Sequence, residues 1–265
     1  MTAPPARAPA LDAAVSTLEV PGLGQPYGMF VMADGTRLVS TEQHTLQLLT
    51  PAGQLALIAG GEDEEGFEDG KGANARFNYP CGITVDAAGH IVVVDGGNHA
   101  LRRVSKAGEV STLAGNGEAG FADGQGDAAR FNEPDGVALA ANDEIVVTDT
   151  YHAIRVVTPG GAVRTLAGNG EAGFADGQGA AARFNCPTGL ARDKDGSILV
   201  ADRGNNAVRR VTMEGAVSTV AGNGEAGYAK ARARPRASIS PWTWWWTRRA
   251  RFWWRTTGII CCGRL

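Results

Sequence analysis

Cysteine is scarce in this chain. Four occur in 265 residues, two of them the adjacent pair Cys261-Cys262, so no disulfide framework can staple the body and a reducing compartment is expected. Basic residues are short as well: residues 1–229 hold sixteen Lys and Arg against twenty-eight Asp and Glu, a net of −12. That deficit argues against a nucleic-acid partner, whose phosphates are bound by surplus cations. The near-neutral total of −3 hides the imbalance, because residues 230–265 carry nine Lys and Arg, no acid and all six Trp. No apolar core of roughly 7–15 residues follows Met1, so the Ala- and Pro-rich stretch to Asp12 is not expected to be a secretory signal or a membrane anchor, with a transit-peptide fragment as the alternative to a disordered lead. A disordered lead over residues 1–13, a cytoplasmic location and no membrane partner are expected. Helical periodicity is missing throughout, which leaves strands.

What is present is a repeat. Leu113–Asn132 recurs at Leu166–Asn185 with one change, Asp127 to Ala180, and a looser copy spans residues 58–78. Phe77, Phe131 and Phe184 mark a period of 54 and then 53 residues. A fixed period of this size is the signature of a solenoid or propeller. Each copy is followed by Pro and four short runs rich in β-branched residues. In the second unit these are Gly82–Asp86, His90–Asp95, Ala100–Val104 and Val110–Leu113, separated by Gly-containing turn pairs. Four antiparallel strands per repeat describe a propeller blade.

The motifs Pro-x-Gly-Ile-x-Val-Asp at Pro80, Ile-Val-Val-Val-Asp-x-x-Asn-His-x-Leu-Arg at Ile91 and the Leu-Ala-Gly-x-Gly connector resemble NHL repeats. The resemblance covers roughly residues 14–229 and is loosest in the first unit, where Ser40–Gln47 keeps His44 but lacks the Asp and the Arg. It implies an all-β fold, an NHL-type β-propeller of a commonly six-bladed family. The expected organisation is four in-frame, four-stranded blades at about 26–60, 80–115, 134–168 and 187–222 within a propeller domain at 14–229. Val15–Leu18 repeats the fourth strand Val110–Leu113 with no first three strands before it.

The tail at 230–265 reads as an aberrant segment. Trp has a single codon, so part of its nucleotide sequence is fixed; read one frame over, Ser240–Gly263 yields another repeat-like series ending Asp-x-Gly-Asn-His-Leu-Leu-Arg. A frame-shifted fifth blade is the expectation, with the in-frame chain an incomplete ring of an intended five to six blades. Such an arc has open strand edges and is expected to be poorly soluble.

Several motifs invite a chemical reading that their context removes. Gly115–Gly120 matches the dinucleotide fingerprint G-x-G-x-x-G, but Phe121–Gly126 cannot open the helix that this site requires. Its glycines suit positive-φ turns between blades instead, with Asp123 or Asp176 capping a short turn that wedges Phe131 or Phe184 between blades. Asp95, Asp149 and Asp202 recur six or seven residues before Arg102, Arg155 and Arg209, a pattern expected of structural ion pairs. His44, His99 and His152 share a slot that Asn206 fills in the fourth unit, and Asn replaces the hydrogen bonding of His but not its titration.

Function is expected where the repeats differ, on the loops of one face. The residues flanking each Pro and the turns between second and third strands nominate Tyr79, Glu133, Asp135, Tyr151, Thr188 and Arg203 as contact residues, with Tyr151 and Arg203 as anchors. The resemblance implies a non-catalytic platform for a protein or peptide ligand, as the recognition module of a larger scaffold or ubiquitin-ligase-like protein. No cofactor, catalytic residue, metal ligand or obligate oligomer is expected. Two alternatives stay open: a lactonase- or lyase-like enzyme with a metal in the central channel, for which Asp86 and Asp193 could face the channel although the third blade has Ala140 at the same place, and an RNA-binding propeller.

Overall fold

A computed structural model describes residues 20–227. The expected lead, the Val15–Leu18 strand and the Trp/Arg-rich tail lie outside the described residues. Within them the chain is all-β, with four antiparallel blades in a propeller arrangement and no α-helix. Blade 1 comprises β1 (Pro26–Val31), β2 (Arg37–Thr41), β3 (Leu46–Leu49) and β4 (Leu55–Ala59). A two-residue strand, β5 (Gly70–Lys71), precedes blade 2, which is β6 (Pro80–Val85), β7 (Ile91–Asp95), β8 (Ala100–Val104) and β9 (Glu109–Ala114). Blade 3 repeats the pattern with β10 (Gly124–Gln125), β11 (Pro134–Leu139), β12 (Ile145–Asp149), β13 (Ala153–Val157) and β14 (Ala162–Gly168). Blade 4 is β15 (Gly177–Gln178), β16 (Pro187–Arg192), β17 (Ile198–Asp202), β18 (Ala207–Val211) and β19 (Ala216–Ala221).

The short strands β5, β10 and β15 add a fifth strand, at the outer edge, to three of the four-stranded blades expected. Each pairs with the outermost strand of the blade that follows it in sequence, as in Gly124↔Val163 and Gln125↔Ala162. The connector therefore belongs to the next blade: it caps that blade's outer edge, makes a 3-10 turn, and only then enters the inner strand. Capping an edge removes unpaired backbone groups that would template aggregation. Two residues are too short for a period-2 pattern, so this strand leaves no trace in the sequence.

The inner strands β1, β6, β11 and β16 pack side by side around the axis. Each starts at a Pro, which has no N–H to give and suits a strand's first position. A glycine two residues on lets the neighbouring backbone close in. A Cβ at Gly136 would lie 2.3 Å from the Thr188 carbonyl oxygen, nearer than any side chain tolerates.

Apolar side chains fill the seams between blades. Phe131 is fully buried among Val92, Leu101 and Leu113 of blade 2 and Ile145, Val147 and Val157 of blade 3. Phe77 and Phe184 fill the matching seams on either side. Burying one such ring contributes on the order of 1.5–3 kcal/mol. Asp123 and Asp176 do not cap the 3-10 turns before these phenylalanines, which have no side-chain cap. Buried arginines and outer-strand threonines claim those carboxylates instead.

Candidate functional site

The repeated polar residues are consumed by the fold: the Asp–Arg clamps fasten each connector to its own blade, and the histidines reach across to the next one. Arg102, Arg155 and Arg209 are fully buried. Arg155 Nη1 donates to Asp149 Oδ2 (2.9 Å) and the Arg130 carbonyl (3.1 Å), and Nη2 donates to Asp123 Oδ1 (2.7 Å) and the Ala122 carbonyl (2.8 Å). Its guanidinium lies between the rings of Phe121 (4.7 Å) and Phe131 (5.3 Å), and only Nε has no acceptor. Arg102 and Arg209 repeat the arrangement with Asp95 and Asp69, and with Asp202 and Asp176. A buried guanidinium needs this many partners, because an isolated charge is too costly to take out of water. Burial pushes the Asp95 and Asp149 carboxyls up to about 6, against the pull of their hydrogen-bond donors and arginines. In blade 1 Thr41 and Gln47 stand in the Asp and Arg positions, and Gln47 Oε1 is buried without a partner.

The histidine slot is a latch between neighbours. His44, His99 and His152 all sit at positive φ, and each accepts at Nδ1 the backbone N–H of the residue before the next blade's proline: Tyr79 (3.2 Å), Glu133 (3.0 Å) and Cys186 (3.1 Å). Asn206 has the same backbone, with φ of 46°. Asn and His are among the residues most at ease in this left-handed region, which explains why they share the slot. Accepting at Nδ1 requires the neutral ring, and burial lowers the pKa of His99 and His152, against the pull of Glu133 and Asp202 respectively.

Strand pairing fixes which residues share a face. Pro80 pairs with Asp95, Pro134 with Asp149 and Pro187 with Asp202, so each inner strand starts beside the end of its neighbour. The residues around each Pro and the turns between second and third strands therefore lie together, on what we call the upper face. All six sequence-nominated contact residues belong to it. Tyr79 lies at the seam of blades 1 and 2, 38% exposed, with ring contacts to Tyr27 and His44. Glu133 marks the next seam. Asp135 and Arg203 interact across the third, where the cation opposes the burial that pushes the Asp135 carboxyl up to about 6. Thr188 adjoins them, its carbonyl accepting from Thr148 Oγ1 (2.7 Å). Tyr151, 44% exposed, stacks on His152 and leans on Phe121, with centroids at 5.7 and 6.0 Å.

Sequence reasoning missed Tyr27 and Phe121. Tyr27 occupies the slot after Pro that holds Cys81, Asp135 and Thr188 in the other blades, so the signal was present but masked by the first blade's weak motifs.

The residues considered for a central metal are not assembled. Asp86 bonds the His90 backbone N–H (2.7 Å) and ring (3.0 Å), while Asp193 pairs with Arg210 (2.8 Å). Among the described residues no group of three or more His, Cys, Asp or Glu could hold a metal ion. No helix among them is long and apolar enough to cross a membrane.

Comparisons with known proteins agree with the motifs. The NHL repeat model matches residues 77–103 and 184–210, so this chain carries NHL repeats. It is 30% identical over 150 residues to the Arabidopsis thaliana Protein SUPPRESSOR OF QUENCHING 1, chloroplastic, covering 52% of this chain and 14% of that protein. It is 36% identical over 152 residues to the Homo sapiens NHL repeat-containing protein 2, covering 51% of this chain and 21% of the relative. The chain thus spans about a seventh to a fifth of these relatives' lengths. Among solved structures it resembles virginiamycin B lyase from Staphylococcus aureus, with a TM-score of 0.52 and 15% identity over 76% of this chain and 57% of that one. At that identity the likeness is one of fold alone. The chloroplastic relative overturns the cytoplasmic location expected from the sequence, because the lack of a recognisable signal does not fix the compartment.

Proposed function

We propose that this chain is a non-catalytic NHL-repeat propeller that binds a protein or peptide through its upper face. The observation that carries the reading is a division of labour. Every repeated Asp, Arg and His is engaged in a clamp or latch, whereas the positions that vary between repeats leave Tyr27, Tyr79 and Tyr151 between 38% and 44% exposed on one face. Exposed tyrosines, and an Arg on the same face, are residue types that anchor interfaces. A chain that spans a fraction of its relatives' lengths fits a recognition module within a larger protein.

Selection of displayed random peptides on the full chain tests this even though the natural partner is unidentified. Selected peptides are expected to lose roughly tenfold or more in affinity on Tyr151→Ala or Arg203→Glu, and to bind Lys106→Ala, in a turn on the opposite face, as they bind the parent. Absence of selected binders, or binders indifferent to both upper-face changes, would overturn the proposal.

A further inference from the structure

The seam between blades 1 and 2 departs from the other two in two ways at once. We infer that Tyr27, Tyr79 and His44, together with the acidic loop beside them, form a subsite for a cationic side chain, a Lys or Arg of the bound peptide. The inference rests on the proposed platform function and specifies its partner.

The first departure is aromatic. The residue before the inner-strand Pro has the same backbone at all three seams, with φ of 48° at Tyr79, 47° at Glu133 and 46° at Cys186, and donates the same N–H to a histidine. The fold therefore does not need a ring there, and a bulky side chain at positive φ is an unusual choice. The slot after the Pro behaves likewise: Tyr27 stands where Cys81, Asp135 and Thr188 stand elsewhere. The Tyr27 and Tyr79 rings lie 5.8 Å apart at 35°, and His44 meets Tyr79 edge-on at 5.4 Å and 87°. Three rings in different planes, with both tyrosines exposed, let a cation meet more than one π face.

The second departure is charge. The connector at this seam reads Glu62-Asp63-Glu64-Glu65, where the later ones read Asn116-Gly117-Glu118-Ala119 and Asn169-Gly170-Glu171-Ala172. Glu64 pairs with Arg76 as Glu118 pairs with Arg130 and Glu171 with Arg183, so it serves the fold. Glu62, Asp63 and Glu65 are surplus to that role, and all three are exposed. The loop is tied to the rings: the Asp63 N–H donates to the Gln43 carbonyl (3.2 Å), and Gln43 Nε2 donates to Glu62 Oε1 (3.2 Å), next to His44 in sequence. Exposed rings alone would suit an apolar partner equally well. The surplus carboxylates decide for a cation, in a chain whose described residues hold 15 Lys and Arg against 26 Asp and Glu.

The test is fluorescence anisotropy on the full chain with four labelled peptides about twelve residues long, in which Ala alternates with Lys, Arg, Glu or Gln. The Lys and Arg peptides are expected to bind and the Glu and Gln peptides not. Tyr79→Ala should weaken the Lys peptide roughly tenfold, Tyr79→Phe should leave it unchanged, and Glu62→Gln with Glu65→Gln should weaken it while leaving the melting temperature in place. Equal binding of the Lys peptide to parent and Tyr79→Ala would overturn the inference, since attraction to an acidic surface would then suffice. A Gln peptide binding as well as the Lys peptide would also overturn it and leave the platform reading standing. If none of the four binds and peptide display also yields nothing, both readings fall.

Discussion

Removing the Asp149 carboxylate tests whether the clamp fastens the connector to blade 3. In Asp149→Ala, Arg155 keeps Asp123 and two carbonyls but loses its fully buried counter-charge, and the N–H groups of Asn132 and Tyr151 lose their shared acceptor. Breaking a buried pair from one side costs about 3–5 kcal/mol. For a chain of this size that corresponds to a fall of about 6–20 °C in melting temperature. Asp123→Ala removes the other half of the clamp, but that carboxylate is 51% exposed; screening by water limits its loss to about 1 kcal/mol. Circular-dichroism melts of the parent and both variants at one protein concentration give the comparison. Repeat arrays need not unfold in one step, so the first transition is the relevant one. Equal shifts for the two variants, or a shift below about 2 °C for Asp149→Ala, would refute the stabilising role assigned to the clamp.

The histidine latches predict an acid-sensitive fold. His99 and His152 have folded pKa values below the ordinary 6.5, so the unfolded chain takes up protons first and stability falls as pH drops through about 6.5. Asp95 and Asp149, raised from 3.8 to about 6, act in the opposite sense, their contribution weakening as pH rises across that interval. The double variant His99→Asn, His152→Asn should still fold, as Asn206 does in the same slot, and should flatten the loss of stability just below about pH 6.5 in urea titrations; an unchanged slope would count against the latches. Gly136→Ala drives a Cβ into the Thr188 carbonyl and is expected to cost on the order of 1–3 kcal/mol in the same melts. Gly53, with open space around it but a φ of 83°, provides a control as Gly53→Asn, a residue that tolerates this region, and is expected to cost less than Gly136→Ala. Arg203→Ala removes the cation that opposes burial at Asp135, so NMR titration should find that carboxyl higher in the variant than in the parent; a lower value in the variant would break the link between the two residues.

The blades, their motifs and the Asp–Arg pairing were legible because each repeats: three copies of one spacing identify a structural need without any partner in view. The fifth strands were not, since Gly124-Gln125 and its counterparts gain strand character only from pairing with the distant outer strand. Asp123 was misread for a related reason. Beside a short Ala-Ala turn its sequence context suggests a cap, but its partners Arg155 and Thr165 come from distant strands. Six face residues, and their sharing one face, could be expected as departures from the repeat. The Tyr27–Tyr79 contact could not, because the two rings meet only after the two inner strands pack.

The central claim, recognition through the upper face, is tested most directly by photo-cross-linking. A benzophenone amino acid placed in turn at Tyr79, Tyr151 and Arg203, and at Lys106 and Glu214 on the opposite face, would be irradiated with a display-selected peptide bound. Cross-links from the first three positions and none from the last two are the predicted result. Cross-links from Lys106 or Glu214 without any from the upper three would contradict recognition through that face.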